Sequence, residues 1–194
     1  MARGEPQATV TALVARILGA EFVETPSWLM RPAEADCGEH WSLVCSIYNE
    51  LTGFVLPDVM PPRERRQVDA VLRVEGQSRI LEVDETQHFN RFRALTLRRY
   101  PEAAKVAFPV ERWIAQSEKK LRLEGGGFGK PKPPLFPAEH GRHMQRAFRD
   151  MLADPLPPEH GFARTLRIAD FEVLGWLYSA RAEARMETLL EGRL

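Results

Sequence analysis

Residues 66–89, RQVDAVLRVEGQSRILEVDETQHF, decide the fold. Two short runs, 68–74 and 79–83, are dominated by branched aliphatic residues and read as strands. Between them, Glu75-Gly76-Gln77-Ser78 is polar and glycine-containing and reads as a hairpin turn. Strand side chains alternate faces, so Glu82 and Asp84 share one face while Leu81 and Val83 take the other. A turn centred on residues 76–77 pairs Asp69 with Asp84 and leaves Glu82 as a diagonal neighbour, roughly 7–8 Å away or less. Gln87 and His88 follow the second strand directly. Carboxylates gathered on one face repel each other unless something positive sits among them. A hard cation such as Mg²⁺, held by one or two carboxylates with water and phosphate, removes that conflict. The plainer alternative is a solvated strand face with Arg73 and Arg79 as counter-charges.

Asp69, then Glu82-Val83-Asp84 closing the next strand, then Gln87-His88, resembles the core of the PD-(D/E)XK nuclease superfamily. The similarity is greatest to the very-short-patch-repair-like endonucleases, whose second strand ends in a Glu-apolar-Asp segment followed by Gln-His or a lone His. It covers about residues 45–115. It implies an α/β fold of the restriction-endonuclease-like class, a small mixed β-sheet built on the hairpin and flanked by helices. It also implies a metal-dependent endonuclease, a hydrolase acting on DNA rather than RNA, with Mg²⁺ or Mn²⁺ as cofactor. Asp69, Glu82 and the Val83 carbonyl correspond to the metal ligands. His88 is placed as general base or proton shuttle, and Gln87 as the group orienting water or a phosphate oxygen. Family members often carry an acid on the helix before the first strand, and Glu50 in YNEL takes that place. Asp84 is the departure, because the commoner members have a Lys there and a carboxylate cannot activate water as a cation does. Either His88 and Gln87 assume the task, with Asp84 holding His88 or completing the metal shell, or the chain is an inactive nuclease-fold module that binds nucleic acid or a protein partner.

Working outward, 194 residues suffice for one domain with a substantial core. The similarity suggests a core at about 38–123 and a helical C-terminal extension at about 138–194. With 27 basic and 27 acidic residues the net charge is zero, so a polyanion-binding surface has to be a local patch. Arg63 and Arg66 before the first strand, and Arg91, Arg93 and Arg98 on a helix predicted over 90–100, supply candidates for phosphate contacts. Two cysteines make no disulfide framework, and Cys45 reads as a buried thiol. No apolar run reaches the length of about 20 residues that a membrane span requires, and the start of the chain does not read as a signal peptide, so a cytoplasmic protein is expected.

Further helices are expected over 7–20, 38–51, 111–123, 138–153 and 169–190, and a strand over 105–110. The last helix suits either the cover of a sheet face or a homodimer surface. Trp28 reads as packing over a core edge. His140, His143 and His160 invite a zinc reading that the absence of a cysteine pair weakens.

Overall fold

The computed structural model describes residues 5–30, 32–62, 67–102, 104, 106–119, 123 and 125–194, and of Phe128 the backbone only. Helix α1 (Glu5–Ile17) buries Val10, Leu13, Val14 and Ala15 along one stripe. Strand β1 (Glu21–Val23), the short helices α2 (Ser27–Met30) and α3 (Glu34–Cys37), and the longer α4 (Trp41–Thr52) follow. The hairpin is β2 (Ala70–Val74) and β3 (Gln77–Asp84). Then come α5 (Arg91–Arg98), α6 (Val110–Glu118), α7 (Gly141–Leu152), α8 (Leu156–Glu159), β4 (Ala163–Ala169), α9 (Asp170–Val173) and α10 (Ala182–Glu191). The architecture is mixed α/β, with a four-stranded sheet ordered β1-β2-β3-β4 and flanked by helices. β1, β2 and β3 pair antiparallel, and β4 runs parallel to β3. No helix of the described residues is long and apolar enough to cross a membrane.

The hairpin turns one residue earlier than the sequence suggests. Val74 pairs with Gln77, and the two turn residues are Glu75 (φ 50°) and Gly76 (φ 84°). Positive φ at both positions matches the twist of the flanking strands, and Glu75 accepts a conformation that non-glycine residues seldom take. Moving the turn by one residue moves the register by two. The faces are unchanged, but the partner changes. With Ala70 opposite Leu81, Asp69 falls opposite Glu82 rather than Asp84.

One face of the sheet is apolar. Ala70, Leu72, Leu81, Val83, Leu166 and Ile168 pack under α1 and α10, joined by Val10, Val14, Met186 and Leu190. Each such side chain, fully buried, contributes about 1.5–3 kcal/mol relative to exposure. The opposite face carries Glu82, Asp84 and Arg167 and is covered by α5, α6 and α7. A parallel pair requires a long crossover between its strands, and here the crossover from β3 to β4 runs through those helices.

Three expectations change. The segment 138–194 is no helical extension of a core ending near 123, because it contributes β4, which pairs along the last residues of β3. The single helix expected over 169–190 is two helices, α9 and α10, separated by turns. Of the strand expected over 105–110, the described residues form one bridge, Ala107 to Leu166, and α6 begins at Val110. Cys45 is half-buried, and Cys37 is the fully buried thiol. Trp28 packs as expected, its ring stacked on His160 at 4.0 Å and 6°.

Candidate metal and phosphate cleft

Asp69 and Glu82 stand on the polar sheet face at the wall of a cleft of about 190 Å³. The Asp69 carboxylate is held at both oxygens. Its Oδ2 accepts from the Val83 backbone N–H at 2.6 Å, and its Oδ1 accepts from Gln7 Nε2 of α1 at 2.6 Å. Burial, and then the neighbouring Glu82, push the Asp69 carboxyl up to about 7, against the lowering effect of the Val83 N–H. Glu82 thus raises the proton affinity of Asp69, and the two carboxylates together offer an all-oxygen donor set of the kind a hard divalent ion takes. The Val83 side chain sits in the apolar core on the far face, so its main chain is what borders the cleft.

His88 borders the same cleft. A short 3-10 turn, Thr86–His88, carries it there. That turn is pinned by Asp170 Oδ2, which accepts from both the N–H and the hydroxyl of Thr86 at 2.7 Å each. Downstream, Asn90 caps α5 by accepting from the backbone N–H groups of Phe92 and Arg93. The imidazole Nδ1 lies 3.0 Å from Asp150 Oδ2 and 3.3 Å from Asp84 Oδ1. This commits Nδ1 to the carboxylates and leaves Nε2 for chemistry in the cleft. Burial pulls the imidazole pKa down, but Asp150 and Asp84 outweigh it and raise the pKa above its ordinary value. Burial likewise opposes ionisation of Asp150, but His88, Arg167 and Arg93 hold its carboxyl well below the usual range.

Asp84 belongs to a buried charge network behind the cleft. Its Oδ1 accepts from Arg167 Nη1 at 2.7 Å and its Oδ2 from Trp113 Nε1 at 2.6 Å. Arg167, fully buried on β4, also donates from Nε to Asp154 Oδ1 at 2.7 Å and from Nη2 to the Asp150 carbonyl at 2.8 Å. Arg93 Nη2 donates to Asp154 Oδ2 at 2.9 Å, and its Nη1 lies 3.2 Å from the Tyr100 hydroxyl. Three carboxylates, Asp84, Asp150 and Asp154, thus face two guanidinium groups and one imidazole. A protonated His88 makes the count neutral. Asp84, His88 and Asp150 bring ligand atoms within 4.8 Å of one another. Arg167 already supplies positive charge to Asp84, whose carboxylate also meets Trp113 and His88.

Other expected residues lie elsewhere. Glu50 is not brought to the acid pair. It forms a 3.2 Å ion pair with Arg99 beside a separate cleft that Arg91 and Arg98 also border. Gln87 donates to Glu85. Arg93 is buried in the network, so α5 does not present all three of its candidate arginines to a phosphate. Arg98 pairs with Glu118, and Arg91 lies 4.9 Å over the Phe92 ring. Arg63 and Arg66 lie outside the described residues. His160 Nε2 lies 2.8 Å from the Asp36 carbonyl, and among the described residues the three histidines weighed for zinc do not converge.

The sequence reading missed Gln7, Asp150, Arg167 and the three cleft arginines, Arg142, Arg146 and Arg149. One signal was available: Arg167 sits between Leu166 and Ile168 in ARTLRIA, and an Arg buried on a strand needs acids nearby. Its partners are 13 and 83 residues away, which no local pattern encodes. The chain matches no protein-family model, no curated protein and no solved structure.

Proposed function

We propose that the protein is a metal-dependent phosphodiesterase of the restriction-endonuclease-like class that cuts DNA. The observation that carries this reading is the placement of Asp69 opposite Glu82, on the wall of a cleft that also holds an oriented imidazole. Asp69, Glu82 and the Val83 main chain would hold Mg²⁺ or Mn²⁺. Such an ion lowers the pKa of its bound water and offsets charge on a scissile phosphate. Gln7 and the Val83 N–H keep Asp69 turned toward Glu82. Asp150 fixes the His88 ring through Nδ1, so Nε2 is the atom that takes a proton from water in the cleft. Gln87, tied to Glu85, supports the loop and has no direct part in this scheme.

The test pairs a plasmid-nicking assay with Mn²⁺ calorimetry on the parent and a Glu82→Gln variant. The reading expects both cleavage and Mn²⁺ binding to collapse in the variant. Cleavage at the parental rate would end it. A second reading, a nuclease-fold module that binds without cutting, draws on one observation: the position of the usual Lys is taken by Asp84, whose carboxylate is fully engaged. Mn²⁺ binding without any cleavage in the parent would favour that module.

A further inference from the structure

We infer that α7 is the strand-holding element, with Arg142, Arg146 and Arg149 gripping phosphates of one DNA strand as its backbone enters the cleft. The inference rests on the phosphodiesterase reading and supplies the contact surface that α5 lacks.

Three observations converge on this helix. From Gly141 to Leu152 every residue of α7 is buried except Arg142, Arg146 and Arg149. Spacings of four and three put these on one face, and all three border the cleft that holds Asp69, Glu82 and His88. The single stripe that α7 shows to solvent is therefore all arginine and overlooks the acid pair. A stripe that served only solubility would tolerate Lys, Glu or Gln. The guanidinium fork suits bidentate contact with phosphate.

Dimensions agree. Arg142 and Arg149 are separated by about 10.5 Å along the helix. Phosphates of one strand advance about 3.4 Å per nucleotide along the duplex axis, so the row spans roughly three steps. The cleft has room on the order of six waters, too little for a base pair, so backbone alone enters.

The helix is also rigidly seated. A Cβ on Gly141 would sit 2.1 Å from the Phe136 carbonyl and 2.8 Å from the Lys132 nitrogen, so only glycine allows this approach. The Arg142 N–H donates to the Lys130 carbonyl at 3.0 Å. At the other end Asp150, next to Arg149, orients His88. A phosphate held by the row is thus positioned relative to the imidazole by one stiff element.

The competing account is that the arginines merely neutralise nearby acids. Fluorescence anisotropy with a labelled DNA oligonucleotide, Ca²⁺ replacing Mg²⁺, separates the two across a salt series. Removing three phosphate contacts in R142Q/R146Q/R149Q lowers the slope of log K against log salt by about 2–3. Between 50 and 200 mM salt, the parent then loses about 16- to 64-fold more affinity than the variant. R142K/R146K/R149K keeps the parental slope and binds more weakly. Mn²⁺ calorimetry on the same samples gives parental binding in both variants. A glutamine variant with the parental slope and affinity overturns the inference, as does one that loses Mn²⁺ binding together with DNA binding. A parent that binds no Mn²⁺ overturns the phosphodiesterase reading instead, while the slope comparison still judges the arginine row.

Discussion

Glu82 and Asp84 lie two residues apart on the same face of β3, and their surroundings differ in kind. Asp84 is closed in by Arg167, Trp113 and His88. Glu82, although largely buried, borders the cleft beside Asp69. Part of the cause lies on β4, where Arg167 sits beside Glu82 in register and extends its guanidinium along the face to Asp84. The inner group is a compensated network that fixes an imidazole. In the outer pair, burial and then the charge of Glu82 raise the Asp69 carboxyl, a perturbation common at functional sites. Local sequence is nearly the same for both, and their settings separate according to what the tertiary fold packs around each carboxylate.

The sharpest way to break that contrast is Arg167→Met. Removing one partner of a buried, hydrogen-bonded set strands the others, so a loss of about 3–5 kcal/mol is expected in denaturant unfolding. A loss under 1 kcal/mol would show that the inner acids do not depend on it. His88→Ala comes next. Cleavage should fall about 10²–10⁴-fold while Mn²⁺ binding persists, measured by single-turnover kinetics and calorimetry. Because Asp150 and Asp84 raise the imidazole pKa, its neutral, proton-accepting form gains population only above the ordinary value of about 6.5. The parental rate should accordingly climb with pH through and beyond that point, and the His88 variant should lack the climb.

A third experiment addresses the outer pair. Asp69 titrates near 7, and a protonated carboxyl does not ligate a cation. Below about pH 7 each further unit should weaken Mn²⁺ binding about tenfold, with a plateau above. An Asp69→Asn protein should show weak binding with no such dependence. The smallest effect belongs to Glu50→Gln, which removes a half-exposed ion pair with Arg99 outside the cleft. Stability should change by about 0.2–1 kcal/mol and the cleavage rate not at all, and a large rate loss would return Glu50 to the site.

Much of the hairpin is legible in the sequence, because period-two alternation and a polar turn are local signals. The turn itself shifted by one residue because Glu75 accepts a positive φ, a choice made by strand twist and not by residue preference. β4 was hidden for another reason. The last five residues of ARTLRIA are all buried because both faces of the strand are covered, and an Arg within it reads as exposed until its acids are found. The α5 arginines misled for the converse reason. A helix with three arginines in eight residues looks like a basic face, but Arg93 turns inward to Asp154, which follows it by 61 residues.

What the sequence determined by itself was the hairpin, the shared face of Glu82 and Asp84, and the sequence neighbourhood of His88, all set by backbone periodicity over a few residues. Which acid closes on Arg167, which nitrogen of His88 meets Asp150, and which helix carries arginines to the cleft were decided only by tertiary structure. Those outcomes depend on β4 and α7, which arrive through a long crossover. The energy of a buried charge is set by whatever partner the fold brings within about 3 Å.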